Sequence, residues 1–344
     1  MDNCFLIDYM TFTVKSPFME DSCAVAKISW MIDSLSDISN GFVCCDKFDF
    51  LSHGFNSYEL AACFGGNRYL IICASDGKGN GDTVMVGFSG LGIKDVGYDT
   101  FQNFVKWAYE HGANFTRVDM AFDDYNGCIP LYNLVRTMVA YRSGKPVLQS
   151  RFSRENLNLI LGCWNDKKYT NITFGSREST QYLRIYDKRA EQGSKGFEVP
   201  DYWYRMEYEC RNGLGNAIVE ELVRSNFDYN MVFVKYLNRM FRVLSRQPKN
   251  QFELKNKKSI PTADWWLKFT QTDCVGFYKR AWRNVERDID KMISYLECNY
   301  GGYLYTLHQV RPKALDGIIT WSGQEQALKP KYQRILQGDY DLEF

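Results

Sequence analysis

The chain has 344 residues, 42 lysines and arginines against 41 aspartates and glutamates, and a formal net charge of +1. That length holds one large domain and a smaller one, and a charge so nearly balanced excludes a protein that binds nucleic acid through overall basicity, so any such contact must come from a local patch. Eleven scattered cysteines with no C-x-x-C pair exclude a disulfide scaffold and a zinc knuckle, and His53, His111 and His308 are too far apart to build a site along one strand.

Residues 7–14 alternate and are predicted as a strand, as are 58–63, 69–74 and 83–88, with glycine turns between them. A helix is expected from about 99 to 111, with Phe101, Phe104, Val105 and Ala108 as its apolar stripe and Gly112 at its end. A strand follows over 115–123, then a helix over 131–141 with Leu134, Val135, Met138 and Val139 on one face. Further strands are expected at 171–174, 182–186 and 204–211. No internal repeat is visible. Residues 247–262, rich in Lys, Asn, Gln and Pro, read as a linker, and 265–269 and 278–296 as helices beyond it. The fold class is therefore α+β: a mainly antiparallel sheet with helices packed on one face, and a smaller helical C-terminal region. The expected division is 1–250, a catalytic body, and 251–344, the helical region. Asp2 and Asp8 interrupt the first apolar residues and no run of 18 apolar residues exists, so a cytoplasmic protein without a membrane span is expected.

Three strands carry a charged face. In 117–123, Val118, Met120 and Phe122 point one way, and Arg117, Asp119, Ala121 and Asp123 the other. In 205–211, Arg205, Glu207, Glu209 and Arg211 share a face; in 182–188, Tyr182, Arg184, Tyr186 and Lys188 do. A wetted sheet face is often charged. Paired carboxylates at i and i+2, such as Glu207 and Glu209, repel unless a cation lies between them. If a metal is bound, oxygen ligands must hold it, which favours Mg2+ or Mn2+. Gly175, Ser176 and Arg177 follow a strand and can turn tightly to offer N–H groups and a guanidinium to phosphate. A tyrosine phenol, with Arg184 and Lys188 nearby to favour its phenolate, suits strand cutting followed by resealing, because a tyrosyl phosphodiester keeps the energy of the broken bond.

At these residues the chain resembles the Rep_trans-type rolling-circle replication initiators of plasmids and filamentous phages, with relaxases of integrative conjugative elements as close relatives. The stretches that carry the resemblance fall in the family's order: Val86-Gly87-Phe88-Ser89-Gly90; Arg117-Val118-Asp119-Met120-Ala121-Phe122-Asp123; Phe174-Gly175-Ser176-Arg177; Leu183-Arg184-Ile185-Tyr186-Asp187-Lys188; and Arg205-Met206-Glu207. The resemblance spans about residues 7–270. It implies a nicking tyrosine, a divalent metal, an origin sequence, usually a homodimer, and in some members a host helicase. Carried onto this chain, the nucleophile is Tyr186, with Tyr182 as the alternative, and the metal ligands are Asp119, Glu207 and Glu209, with Asp123 behind them.

DNA contact is expected from Arg117, Arg177 and Arg205, and from residues 234–246, where Lys235, Arg239, Arg242 and Arg246 would form one stripe of an origin-binding helix without an acidic residue to offset them. Lys249, Lys255, Lys257 and Lys258 follow. Three functions are open on this reading: an origin-specific nicking and joining enzyme, serving replication or conjugative transfer; a non-catalytic DNA-binding regulator on the same fold; and a hydrolytic nuclease with a water nucleophile. A covalent adduct selects the first.

Overall fold

In the computed structural model, the residues described are 2–18, 23–65, 69–77, 80–164, 167–271, 305–306, 308–311 and 313. The first half runs β1 (Cys4–Lys15), α1 (Ala24–Ile38), β2 (Phe48–Leu51), β3 (Leu60–Phe64), β4 (Leu70–Ala74), β5 (Thr83–Ser89), α2 (Gly90–Val96) and α3 (Tyr98–Glu110). The second runs β6 (Asn114–Asp124), α4 (Leu131–Arg142), β7 (Leu148–Ser150), β8 (Leu157–Trp164), β9 (Lys167–Phe174), β10 (Gln181–Asp187), α5 (Lys188–Gly193), β11 (Tyr204–Arg211) and α6 (Gly213–Arg224). Then come α7 (Tyr229–Met240), β12 (Phe241–Val243), α8 (Gln251–Lys255) and α9 (Asp264–Gln271).

Ten strands form one sheet in the order β2-β3-β4-β5-β1-β6-β11-β10-β9-β8, and each neighbouring pair is antiparallel. The order repeats itself. In each half a first strand leads into a helix, a four-strand meander follows, and the meander's last strand returns to pair with the first. The halves meet at β1 and β6. A short sheet of β7 and β12 stands apart. The expected α+β sheet with helices on one face is the fold observed.

Alternation explains the main core. Met10, Phe12 and Val14 of β1, Val118, Met120 and Phe122 of β6, and Met206, Tyr208 and Cys210 of β11 face the same side, where α1, α3, α4, α6 and α7 bury their apolar stripes. Burial on this scale supplies the main driving force for folding. On α4 the stripe is Leu134, Met138 and Tyr141, while Val139, expected with them, is exposed. Trp266 of α9 is buried in this core against Phe241, and Leu244 bridges to Thr262. The boundary expected at 250 thus falls inside a packed unit, and the linker reading of 247–262 gives way to α8 and a turn. The helix expected over 278–296 lies outside the described residues. No helix among the described residues is long and apolar enough to cross a membrane.

Candidate active site

The opposite face of β6, β11 and β10 gathers the charged residues. Register sets the neighbours: Asp119 lies across from Glu209, Glu209 from Tyr182, Glu207 from Arg184, and Arg205 lies between Asp123 and Tyr186. Asp119, Asp123, Glu207, Glu209, Arg205, Tyr186 and Lys188 are all buried.

Every carboxylate of this face meets a guanidinium. Arg117 donates from Nε to Asp119 Oδ1 at 2.9 Å and from Nη2 to Asp119 Oδ2 at 2.6 Å and Glu209 Oε2 at 2.8 Å. Arg211 holds the other Glu209 oxygen at 2.6 Å. Arg184 Nη2 donates to both oxygens of Glu207 at 2.8 Å. Arg205 grips Asp123 through two bonds, Nε to Oδ1 at 2.7 Å and Nη2 to Oδ2 at 2.6 Å, and Trp203 Nε1 donates to Asp123 Oδ1 at 2.9 Å.

Tyr186 stands in the middle of these pairs. Its hydroxyl donates to Glu207 Oε2 at 3.1 Å and lies 3.4 Å from Arg184 Nη2, while the Arg184 guanidinium sits 4.3 Å from the ring centroid. Burial pushes the phenol above its usual pKa, and Glu207 and Glu191 push it further, against the pull of Arg205 and Arg184. Lys188, 2.6 Å from Glu191, is brought below the ordinary lysine value by burial and by Arg205. Tyr182 is half-buried on the same face, with the exposed Arg177 5.9 Å from its ring centroid. Arg177 projects from a turn that opens on Gly175 at φ +86°, where a Cβ would lie 2.7 Å from Gln181 O.

Asp119 is a buried carboxylate across from Glu209. Burial pushes its carboxyl up to about 7, and Glu207 and Glu209 add to that push, against the Arg117 hydrogen bonds. An all-oxygen donor set is the chemistry that suits Mg2+ or Mn2+, and here Arg117, Arg184 and Arg211 balance the charge of Asp119, Glu207 and Glu209. Among the described residues no three such groups converge as a ready ligand set. Arg117 lies between Asp119 and Glu209, stacked 4.8 Å from the Tyr9 ring centroid and about one-third exposed. The donor chemistry fits a divalent ion, and in this structure the Arg117 guanidinium bridges Asp119 and Glu209. Asp123 is committed to Arg205 and Trp203.

Three residues expected at DNA stand elsewhere. Arg205 is 1% exposed and lies inside the sheet. The single basic helix over 234–246 is not formed, because α7 stops at Met240. Arg242, on β12, spends its donors on Gln149, Thr262 and the carbonyls of Lys257 and Ile260. Arg246 pairs with Glu253 at 2.7 Å. Lys235 and Arg239 remain on α7, Lys235 2.7 Å from Glu221 and Arg239 over the Tyr236 ring.

Asp8 was missed. It accepts from Arg205 Nη1 at 2.6 Å, so that the buried Arg205–Asp123 pair is extended to a half-buried third member. Strict alternation would turn Asp8 toward the core with Met10 and Phe12. A bulge between Ile7 and Tyr9 turns it to the charged face instead. The misplaced acid was itself the available signal. Gly90 completes the arrangement, because a Cβ there would lie 3.1 Å from Asp8 Oδ1.

The charged face of this antiparallel sheet thus gathers a tyrosine, carboxylates and guanidiniums in one place. The family model of the Rep_trans replication initiation factors matches residues 113–319, and the chain belongs to that family. It is 27% identical over 157 residues, 43% of this chain, to the Bacillus subtilis (strain 168) protein "Putative DNA relaxase NicK", and the match spans 41% of that protein's length. A solved rolling-circle replication initiator protein from Geobacillus stearothermophilus shares the fold, with a TM-score of 0.59 at 22% identity over 78% of this chain and 96% of that one.

Proposed function

We propose that this chain cuts and rejoins one strand of DNA at an origin, through a covalent bond between Tyr186 and the strand, to initiate rolling-circle replication of a plasmid or phage. The observation that carries the reading is the Tyr186 hydroxyl, donated to Glu207 and flanked by Arg184. Glu207 accepts the phenol proton as the oxygen attacks phosphorus. The Tyr186–phosphorus bond forms, the bond to the leaving deoxyribose oxygen breaks, and that oxygen leaves as a hydroxyl group after taking the proton that Glu207 accepted. The reverse reaction reseals the strand without another energy source. Arg184 serves the phosphate as well, since its guanidinium is partly exposed and its buried Nε is a donor with no hydrogen-bond partner, which a small shift of the side chain would bring to a phosphate oxygen. Arg177, exposed beside Tyr182, extends the phosphate contacts along the strand. Lys188 sets a positive charge 5.5 Å from the Tyr186 ring centroid.

A divalent ion on Asp119, Glu207 and Glu209 would neutralise charge on the phosphate oxygens. The partners of this reading are origin DNA, a second copy of the chain and a host helicase. A relaxase acting in DNA transfer is the second reading, favoured by the likeness to NicK; it uses the same cut.

The test is a denaturation-resistant adduct between the full chain and a labelled single-stranded origin oligonucleotide with Mg2+ or Mn2+. Tyr186→Phe is expected to abolish it, a loss of at least about a thousandfold, as removal of a nucleophile does. Tyr182→Phe is expected to retain it. Normal adduct in Tyr186→Phe sinks the assignment, and origin binding without cleavage under any metal selects the non-catalytic regulator.

A further inference from the structure

A second concentration of positive charge lies off the catalytic face. The β7–β12 sheet and the segment after it enclose a groove of about 370 Å3, lined by Gln149, Ser150, Lys255, Asn256, Lys257 and Lys258, with Leu254 as an apolar wall. Lys255 and Lys258 are exposed. No ion pair is formed by any of these three lysines among the described residues, in contrast to the arginines around Tyr186. Lys257 Nζ donates instead to the carbonyl of Leu148 at 3.0 Å. Beneath the groove, Arg242 meets only neutral acceptors. Arg154 is close enough to Lys257 to depress its pKa, in addition to the effect of burial. The acid nearest in sequence, Glu253, is already paired with Arg246.

We propose that this groove binds the sugar–phosphate backbone of duplex DNA flanking the nick, a proposal that rests on the nicking reading above. The lining residues are the types that contact phosphate: ammonium, amide and hydroxyl groups. The lining contains no aromatic ring, and a single-strand site would need one as a stacking platform. Unpaired ammonium groups exchange counterions for phosphates at no cost of broken ion pairs. The groove is also joined to the catalytic end of the sheet. Arg154 opens the short turn that leads into β8, and Asn156 of that turn accepts from Gly175 N at 2.9 Å. Gly175 starts the loop that carries Arg177 to Tyr182. The cations therefore follow one another from the groove, past Arg154 and Arg177, to the strand that carries Tyr186.

The experiment measures fluorescence anisotropy of the full chain with a duplex of about 30 base pairs and a single strand of about 15 nucleotides across a salt series, a span covering several phosphate contacts. Lys255→Glu/Lys258→Glu is expected to weaken duplex binding at least about tenfold. Lys255→Gln/Lys258→Gln, which removes charge without adding any, is expected to lower the slope of log K against log salt by about 2. Single-strand affinity and adduct yield on the short strand are expected to stay within about twofold, because base stacking and the catalytic face are untouched. Unchanged duplex affinity and salt slope overturn the proposal. So does an equal loss for single strand and duplex, which would make the groove a single-strand channel. Failure of the wild-type adduct is a separate result, and counts against the nicking reading alone.

Discussion

The two halves of the sheet share a topology and differ on one face. In both, the inward residues are apolar: Val84, Val86 and Phe88 of β5 correspond to Met206, Tyr208 and Cys210 of β11. The outward residues diverge. In the first half Ala61, Cys73 and Met85 gather with Tyr58 into a small apolar cluster, and β5 presents Thr83, Met85 and Gly87. In the second half the equivalent strand presents Arg205, Glu207, Glu209 and Arg211. The helix-covered face alone thus provides the common core, and the outward face is free to vary. The second half uses that freedom for chemistry. Asp8 crosses between them: it belongs to β1, yet the bulge delivers it to the charged face of the other half.

The largest test of this contrast is Arg205. A buried ion pair adds little net stability when intact, but removing one partner strands a charge in a low-dielectric interior. Arg205→Met keeps much of the side-chain length and leaves Asp123 and Asp8 without their shared cation. The expected cost is about 3–5 kcal/mol in urea unfolding. Met85→Leu, on the outward face of the first half, is expected to cost less than about 1.5 kcal/mol. Arg205→Met/Asp123→Leu should recover part of the loss. A single Arg205 variant as stable as the wild type would mean that the Arg205–Asp123 pair is not buried as described.

Much of this was legible in the residues. Alternation placed β1, β5, β6, β10 and β11 and assigned each side chain of the charged strands to its face. Register was not legible, because alternation says which face a residue shares but not which neighbour it meets. The cross-strand pairs Arg184–Glu207, Arg205–Asp123 and Arg117–Glu209 emerged only once β11 lay between β6 and β10, whereas Arg117–Asp119 and Arg211–Glu209 each lie within one strand. The duplication was invisible because it is one of topology: Thr83–Ser89 and Tyr204–Arg211 agree in inward apolar positions and little else. The stripe over 234–246 failed for a local reason. Phe241 and Val243 are both buried, a spacing of two that fits a strand, and β12 takes over from α7 there. α1 was not expected either, since Lys27 falls on its buried face, where its Nζ donates to the carbonyls of Ser75 and Gly81.

A smaller effect follows from Asp119. The folded chain holds its proton up to about pH 7, whereas the unfolded chain releases it near the ordinary carboxylate value. Between about pH 4 and 7 the folded state therefore binds more protons, and stability falls as pH rises through that window, by up to roughly 4 kcal/mol. The contribution is fully present below the unfolded pKa and lost above the folded one. In chelator, the urea midpoint should be higher at pH 5 than at pH 8, and Asp119→Asn should flatten the difference. Mn2+ should raise the midpoint more at pH 8 than at pH 5, because it favours the ionised carboxylate. A flat profile in chelator would rule out a strained Asp119.

The smallest expected effect probes the link between the halves. Gly90 opens α2, a position where alanine is the better helix former by roughly 1 kcal/mol. Here the added Cβ would lie 3.1 Å from Asp8 Oδ1 and 3.2 Å from Asp8 O. Oδ1 is the atom that accepts from Arg205, so the carboxylate has to retreat from its bond. The two terms nearly offset, and Gly90→Ala is expected to change stability by less than about 1 kcal/mol. The sharper readout is coupling. With Asp8→Asn in place the charged bond is already weakened, and Gly90→Ala should then cost less than it does alone. A double-mutant cycle in urea should show an interaction of about 0.5–1 kcal/mol. Strict additivity would mean that Gly90 does not act through Asp8, and the Phe-Ser-Gly turn would then be serving α2 alone, through the Ser89 side chain that caps its Gly92 N–H.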